Sequence, residues 1–166
     1  MSRRAAMKIE NNSIVTPLPT DELIEAFEND SRVELPQDYK CFLKKYNGAI
    51  PETNIFTFKR RKYLVERFLC LLEKPIYDQE NGEYDIDVVL TAKGELMNEE
   101  EDIIGTDVVP IASLSGDDYV CLYYHKKNPS IVIWYGGESE EFHPVLRKIA
   151  NSFSDFLNMI NESWEY

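Results

Sequence analysis

The chain has 166 residues, of which 43% are hydrophobic and 12% aromatic, enough to bury one core of domain size. Its 30 acidic and 18 basic residues give a formal net charge of −12, which disfavours nucleic-acid binding and favours basic partners. The sequence has no apolar run long enough to cross a membrane and no secretory signal, so we expect a cytoplasmic protein that does not bind membranes.

Two helices are predicted in the first third of the chain. The first covers about residues 20–30, where the Thr20 side chain can accept hydrogen bonds from free amides at the helix start. The second covers 36–46 and begins at Pro36, whose missing amide hydrogen does no harm at a first helical position. Asn47-Gly48 ends this second helix, because these residues tolerate left-handed backbone angles.

The middle of the chain predicts a strand pair followed by a helix. Residues 54–58 alternate like a strand, and a second apolar run covers 63–72. The basic quartet 59–62 lies between them as a hairpin connection; nucleic-acid contact is the alternative, and the acidic charge of the chain favours a solvated loop. Residues 84–92 fit a helix or a strand, and we favour a helix because Gly94 follows as a stop.

The C-terminal half predicts three strands and a closing helix. The strands lie near residues 108–112, 119–124 and 130–135, separated by turn-forming residues, and an amphipathic helix runs from about Pro144 to Asn161. Strands enclosed by helices, without βαβ alternation, indicate an α+β fold with a mainly antiparallel sheet. We expect one domain over residues 20–162, with an N-terminal extension at 1–19 and a tail at 163–166. The residues expected in the core are Phe42, Leu43, Ile111, Leu122, Trp134, Ile133, Phe153 and Leu157.

Candidate catalytic and metal-binding residues are few. Cys121 with His125 or His143 is a conceivable nucleophile pair, but a buried structural thiol fits the hydrophobic surroundings of Cys121 better. Two histidines and three scattered cysteines provide no zinc-ligand spacing. Asp85-Ile86-Asp87 and Asp117-Asp118 are interpreted as a helix N-terminus and a turn rather than cation ligands. We therefore expect no enzyme activity, no metal and no cofactor.

Four sequence blocks resemble a known family. Leu35-Pro36-Gln37-Asp38-Tyr39 through Asn47-Gly48 is similar to the first signature of the SMI1/KNR4 (SUKH) superfamily, and Val109-Pro110-Ile111-Ala112 with Gly116-Asp117 resembles its second. Ile131 to Trp134 and Ile149 to Leu157 resemble its later strand and its closing helix. The likeness spans about residues 20–160 in the family's order.

This resemblance implies a protein that acts by binding another protein. Many bacterial members are immunity proteins that neutralise a cognate toxin by direct contact, and fungal members are cell-wall and signalling regulators. We expect an immunity protein against a basic, nuclease-type polymorphic toxin; a regulatory or scaffolding domain bound to an endogenous protein is the alternative. Both leave the oligomeric state open.

The predicted binding surface is acidic, because exposed acidic loops complement a basic partner. The loop 99–102 can also imitate phosphates towards a nuclease. Aromatic side chains beside the acids are expected to add anchors. The candidates are Tyr119, Trp134 and Tyr135, with burial in the core favoured for Trp134. The predicted partner-binding residues are Glu99, Glu100, Glu101, Asp102, Asp117, Asp118, Tyr119, Glu138, Glu140 and Glu141.

Overall fold

The computed structural model describes residues 7–99, 107–125 and 127–164. Within these ranges the chain forms a single α+β domain with four α-helices and six strands, which confirms the predicted fold class. The helices are α1 (Asp21–Ser31), α2 (Gln37–Tyr46), α3 (Ile86–Met97) and α4 (Phe153–Met159). The strands are β1 (Ile55–Phe58), β2 (Arg61–Phe68), β3 (Val108–Leu114), β4 (Tyr119–Tyr123), β5 (Ser130–Trp134) and β6 (Leu146–Ala150).

The six strands form one sheet in the order β1-β2-β3-β4-β5-β6, with every neighbouring pair antiparallel. Helices cover both faces of this sheet. Trp134 points towards α3, where its Nε1–H donates to the Leu96 carbonyl at 2.9 Å. The next residue, Tyr135, points to the opposite face, because side chains alternate along a strand. On that face the Phe56 ring contacts Phe156 of α4 at 5.4 Å between ring centres.

The closing helix is shorter than the sequence predicts, and its first part is a strand. Residues 146–150 form β6, which pairs antiparallel with β5, so the prediction of a helix from Pro144 to Asn161 was wrong over this stretch. Strand β5 is buried from Ile131 to Trp134, and its backbone groups need partners on both edges. The helix begins only at Phe153, after the Ser152 hydroxyl accepts the Asp155 amide at 3.1 Å.

Two other boundaries differ from expectation. Helix α3 continues through Gly94 to Met97, because Met97 is fully buried and its packing outweighs the ~1 kcal/mol cost of a helical glycine. The β1–β2 turn consists of Lys59 and Arg60 alone, while residues 61 and 62 already pair with β1.

The predicted core is buried with one exception. Leu157 is only half-buried, whereas the other members are 8% exposed or less. Their burial is confirmed for Phe42, Leu43, Ile111, Leu122, Ile133, Trp134 and Phe153.

The irregular segment 69–72 follows β2 along the chain and leads into the loop 73–80. In space it lies between the end of α2 and the start of α3. All four of its residues are buried. Two side chains supply hydrogen bonds to its backbone: Asn47 Oδ1 accepts the Leu71 amide, and Asp85 Oδ2 accepts the Leu72 amide, both at 2.8 Å. The path of the chain at residues 71 and 72 therefore depends on these side-chain partners, whereas the amides of Leu69 and Cys70 donate to backbone carbonyls.

The β1–β2 turn stores conformational strain. Lys59 and Arg60 have φ angles of 49° and 68°, and two-residue hairpin turns with positive φ strongly favour Asn-Gly. We expect the double substitution Lys59→Asn/Arg60→Gly to raise the free energy of unfolding by about 1 kcal/mol, because asparagine and glycine adopt left-handed angles at a lower cost than lysine and arginine. Urea denaturation measures the change. The control Lys59→Ala/Arg60→Ala removes the same charges but keeps the strain, and equal stabilisation by both variants would contradict the explanation.

Candidate partner-binding surfaces

The two acids of the β3–β4 turn already have partners within the chain. Asp117 is exposed, and its Oδ1 lies 2.9 Å from Lys93 Nζ on α3. Asp118 is half-buried, and its Oδ1 accepts the Gly136 amide at 3.0 Å. These contacts tie the turn to α3 and to the start of the β5–β6 loop, so both carboxylates contribute to local structure.

The β5–β6 loop carries exposed acids on a backbone held by hydrogen bonds. Glu138, Glu140 and Glu141 are all exposed. The Ser139 hydroxyl donates to the Tyr135 carbonyl at 2.7 Å and accepts the Val145 amide at 2.9 Å. These bonds cross the loop and link its two ends, so its acids are presented from a defined backbone.

The described acids do not form one continuous surface. Glu99 is exposed beside the far end of β4, where the Tyr123 hydroxyl donates to Glu99 Oε1 at 3.3 Å. Asp117 lies beyond the opposite end of this five-residue strand, which itself spans roughly 13 Å at ~3.3 Å per residue. Glu99 belongs to the predicted acidic loop 99–102. The rest of that loop lies outside the described residues: Glu100, Glu101 and Asp102.

Tyr119 is the partly exposed aromatic residue beside Asp117. Its ring contacts Trp134 at 5.9 Å between centres, and Lys93 Nζ lies 6.0 Å from the Tyr119 ring centre. Trp134 is completely buried and Tyr135 is 7% exposed, so neither ring is available to a partner. Of these three aromatic candidates, Tyr119 retains the most accessible surface.

The candidate nucleophile Cys121 is completely buried. Burial raises the pKa of the Cys121 thiol well above its ordinary value, so the sulfur stays protonated and unreactive at neutral pH. His125 instead stacks on Tyr123 at 5.8 Å between ring centres. This environment is typical of a structural cysteine.

A surface that the sequence analysis missed lies between β2 and α3. We call residues 73–80 the anchor loop. Its short 3-10 turn, Pro75–Tyr77, exposes Ile76 by 87% and Tyr77 by 81%. The loop also carries three acids, at 73, 78 and 80, against one lysine. Large apolar side chains exposed to this degree and rimmed by charge are typical of binding surfaces.

The anchor loop has a defined conformation. Asp78 Oδ1 accepts the amides of Glu80 and Asn81 at 3.2 and 2.9 Å. A Cβ at Gly82 would lie 2.1 Å from the Pro75 carbonyl oxygen, so this close approach requires glycine. The sequence signal was an isolated apolar pair between charged residues, followed by Asn81-Gly82, a turn dipeptide.

Across residues 7–99, 107–125 and 127–164, no three potential ligands from histidine, cysteine, aspartate or glutamate come together. In the same ranges, no helix combines the length and apolar character that crossing a membrane requires.

Comparison with known proteins identifies the family. The family SUKH_6, described as SMI1-KNR4 cell-wall, matches residues 21–157. The chain is also 30% identical over 161 residues to the SPbeta prophage-derived uncharacterized protein YokK of Bacillus subtilis (strain 168), covering 88% of this chain and 77% of that protein. No solved structure matches the chain. Because the family match spans α1 to α4, including the anchor loop and the whole sheet, this chain belongs to the SMI1-KNR4 (SUKH) family.

Proposed function

We propose that this chain is a cytoplasmic immunity protein that binds a basic toxin and neutralises it by contact, without catalysis of its own. The observation that carries the proposal is the anchor loop, which presents Ile76 and Tyr77 to solvent on a hydrogen-bonded backbone. A few buried aromatic and apolar anchors supply most of the free energy of a protein interface. A rigid loop loses little conformational entropy when it binds, which leaves more of that energy for affinity.

Charge supports the same kind of partner. The net charge of −12 attracts a basic protein, and acids surround the apolar pair of the anchor loop. The alternative, a regulatory or scaffolding role, uses the same surface with an endogenous partner. Co-purification with the product of the adjacent gene distinguishes them, since a toxin recovered in the complex supports immunity and an endogenous regulator supports the alternative.

Removing the two apolar side chains tests the surface. We expect Ile76→Ala/Tyr77→Ala to weaken binding of the co-purified partner by about tenfold or more, mainly through faster dissociation. The thermal midpoint of the free protein should not change, because both side chains are more than four-fifths exposed. Surface plasmon resonance measures the two rate constants. Trp164→Ala is the control, since Trp164 is also an exposed large side chain, at 57%, and lies outside the anchor loop. Unchanged affinity in the double variant would rule out the anchor loop.

Charge reversal tests the acidic surfaces separately. We expect Glu73→Lys/Glu80→Lys in the anchor loop to slow association by about tenfold at low salt, because opposite charges steer the encounter. The predicted acids of the β5–β6 loop are tested by Glu140→Lys/Glu141→Lys. The difference in association rate between each variant and the unchanged protein should shrink at 1 M salt, where the screening length is only ~3 Å. Glu25→Lys/Asp30→Lys on α1 changes the net charge equally. If this control slows association as much, only the overall charge matters and neither loop is specific.

A further inference from the structure

A small cavity on the α4 face of the sheet is lined by cations in an otherwise acidic protein. It has a volume of about 170 Å³, and its lining includes Lys59, Arg61, Arg147 and one carboxylate, Glu138. Three positive charges against one negative charge leave a local excess of two positive charges. The chain as a whole has a net charge of −12, so this local sign is opposite to that of the molecule.

These three cations have no acidic partner. Within the described part of the chain, no carboxylate oxygen lies within 4 Å of Lys59, Arg61 or Arg147. The two guanidinium groups lie against tyrosine rings instead, with Arg61 Cζ 4.8 Å from the Tyr63 ring centre and Arg147 Cζ 6.0 Å from the Tyr135 ring centre. All three side chains are exposed, so their charges are open to an anion from solvent.

A pair of tyrosine hydroxyls completes the lining. The oxygens of Tyr63 and Tyr135 are 2.8 Å apart, and both residues are only 7% exposed. One hydroxyl donates its proton to the other oxygen, so the second proton remains available for an acceptor in the cavity. Burial, together with the hydrogen bond shared with Tyr63, raises the pKa of Tyr135 to about 12, so the hydroxyl keeps its proton at neutral pH.

The tertiary fold assembles this lining from separate strands. Arg61 and Tyr63 lie two residues apart on β2 and so share a face, whereas Arg147 on β6 pairs with Ile133 of β5. Strands β3 and β4 separate β2 from β5, a distance of roughly 14 Å across the sheet. The strained β1–β2 turn adds Lys59 at a φ of 49°.

From these groups we propose that the cavity binds the phosphate group of a small molecule. Each arginine side chain offers a planar donor fork that matches phosphate oxygens, and the remaining tyrosine proton adds a donor. A phosphate monoester carries a charge of about −1.5 to −2 at neutral pH, which matches the local excess. The cavity volume of about 170 Å³ is several times the ~30 Å³ that one water molecule occupies, which leaves room for a phosphate group. This site is independent of the protein partner proposed above.

The test is a titration of the 166-residue protein with sodium phosphate at constant ionic strength, maintained with sodium chloride. NMR of the arginine Nε–Hε groups reports the site directly, and we expect the resonances of Arg61 and Arg147 to shift. Arg147→Gln should weaken phosphate binding by about tenfold or more, because it removes charge-assisted hydrogen bonds. Tyr135→Phe keeps the ring and removes one hydroxyl, so it should also weaken binding.

Lys148→Gln is the matched control, because Lys148 is the next residue on β6, points to the other face and carries the same charge. It should leave binding unchanged. Thermal unfolding without phosphate confirms that each variant folds, and Arg61→Gln replaces Arg147→Gln if the latter does not. The same titration with glycerol phosphate identifies the kind of ligand. Tighter binding of glycerol phosphate than of inorganic phosphate indicates an organic phosphate, whereas equal affinity indicates the free ion. Absence of arginine shifts, equal weakening by Lys148→Gln, or tighter binding of acetate than phosphate would overturn the proposal.

Discussion

Replacing Asn47 with alanine is expected to lower the free energy of unfolding by about 3–5 kcal/mol, because several buried backbone groups lose their partner. The Asn47 side chain is completely buried. Its Nδ2 donates to the carbonyls of Val15 and Leu71 at 3.1 and 3.4 Å, and its Oδ1 accepts the Leu71 amide at 2.8 Å. A domain of this kind is stable by about 5–15 kcal/mol in total, so this one side chain accounts for a large share.

Urea denaturation of the purified variant measures this loss. Asn29→Ala is the matched control, since Asn29 is exposed on α1 and the same atoms are removed. A surface change of this type alters stability by about 0.5 kcal/mol or less. If Asn47→Ala costs no more than Asn29→Ala, the three hydrogen bonds do not hold the segments together.

Replacing Asp85 with alanine is expected to cost about 2–4 kcal/mol, because Asp85 serves two elements at once. Its Oδ1 accepts the amides of Asp87 and Val88 at the start of α3, at 2.8 and 3.2 Å. Its Oδ2 accepts the buried Leu72 amide at 2.8 Å. The substitution removes the helix cap and also leaves that amide unsatisfied.

The separation of these two roles can be measured. Asp85→Asn retains the oxygen that caps α3 but places an amide nitrogen opposite the Leu72 N–H, so it should cost less than alanine and more than nothing. Asp87→Ala is the control, because Asp87 is exposed in the same first turn. Partial burial and the neighbouring Asp85 carboxylate raise the pKa of Asp87 to about 6, which offsets the favourable effect of its charge at the helix start. We expect its loss to change the free energy of unfolding by about 0.5 kcal/mol or less. Equal costs for Asp85→Ala and Asp87→Ala would contradict the double role.

Both residues control the anchor loop through segment 69–72. The Cys70 amide donates to the Tyr84 carbonyl at 2.9 Å, and the Ile86 amide donates to the Cys70 carbonyl at 2.9 Å. These bonds close the chain on each side of the anchor loop. Any variant that releases the segment should therefore weaken partner binding as well as stability, which connects the core to the proposed interface.

Elements with complete local signals were predictable from sequence. Helix α2 has Pro36 before its first turn, apolar residues at helical spacing and Asn47-Gly48 after its last. Strand β5 is a run of apolar, mostly β-branched residues, and it is buried as predicted. In these segments propensity, periodicity and end signals agree, so tertiary contacts had no conflict to resolve.

Other features depended on residues far apart in the chain. Residues 146–150 have an apolar spacing that suits a helix, but the unpaired edge of β5 requires a strand there. The acidic residues between 99 and 141 were predicted to bind a partner protein. The fold instead gives Asp117 and Asp118 partners within the chain.

The sequence by itself determined the α+β class, most helices and strands, the core and the family resemblance, because these follow from local pattern and composition. Only the tertiary structure decided that Asn47 and Asp85 supply the hydrogen bonds of segment 69–72, that Ile76 and Tyr77 remain exposed, and that Arg61 and Arg147 share one cavity. The physical reason is the same in each case: a buried polar group takes its partner from whichever segment lies nearest in space, and the spacing of residues along the chain does not contain that information.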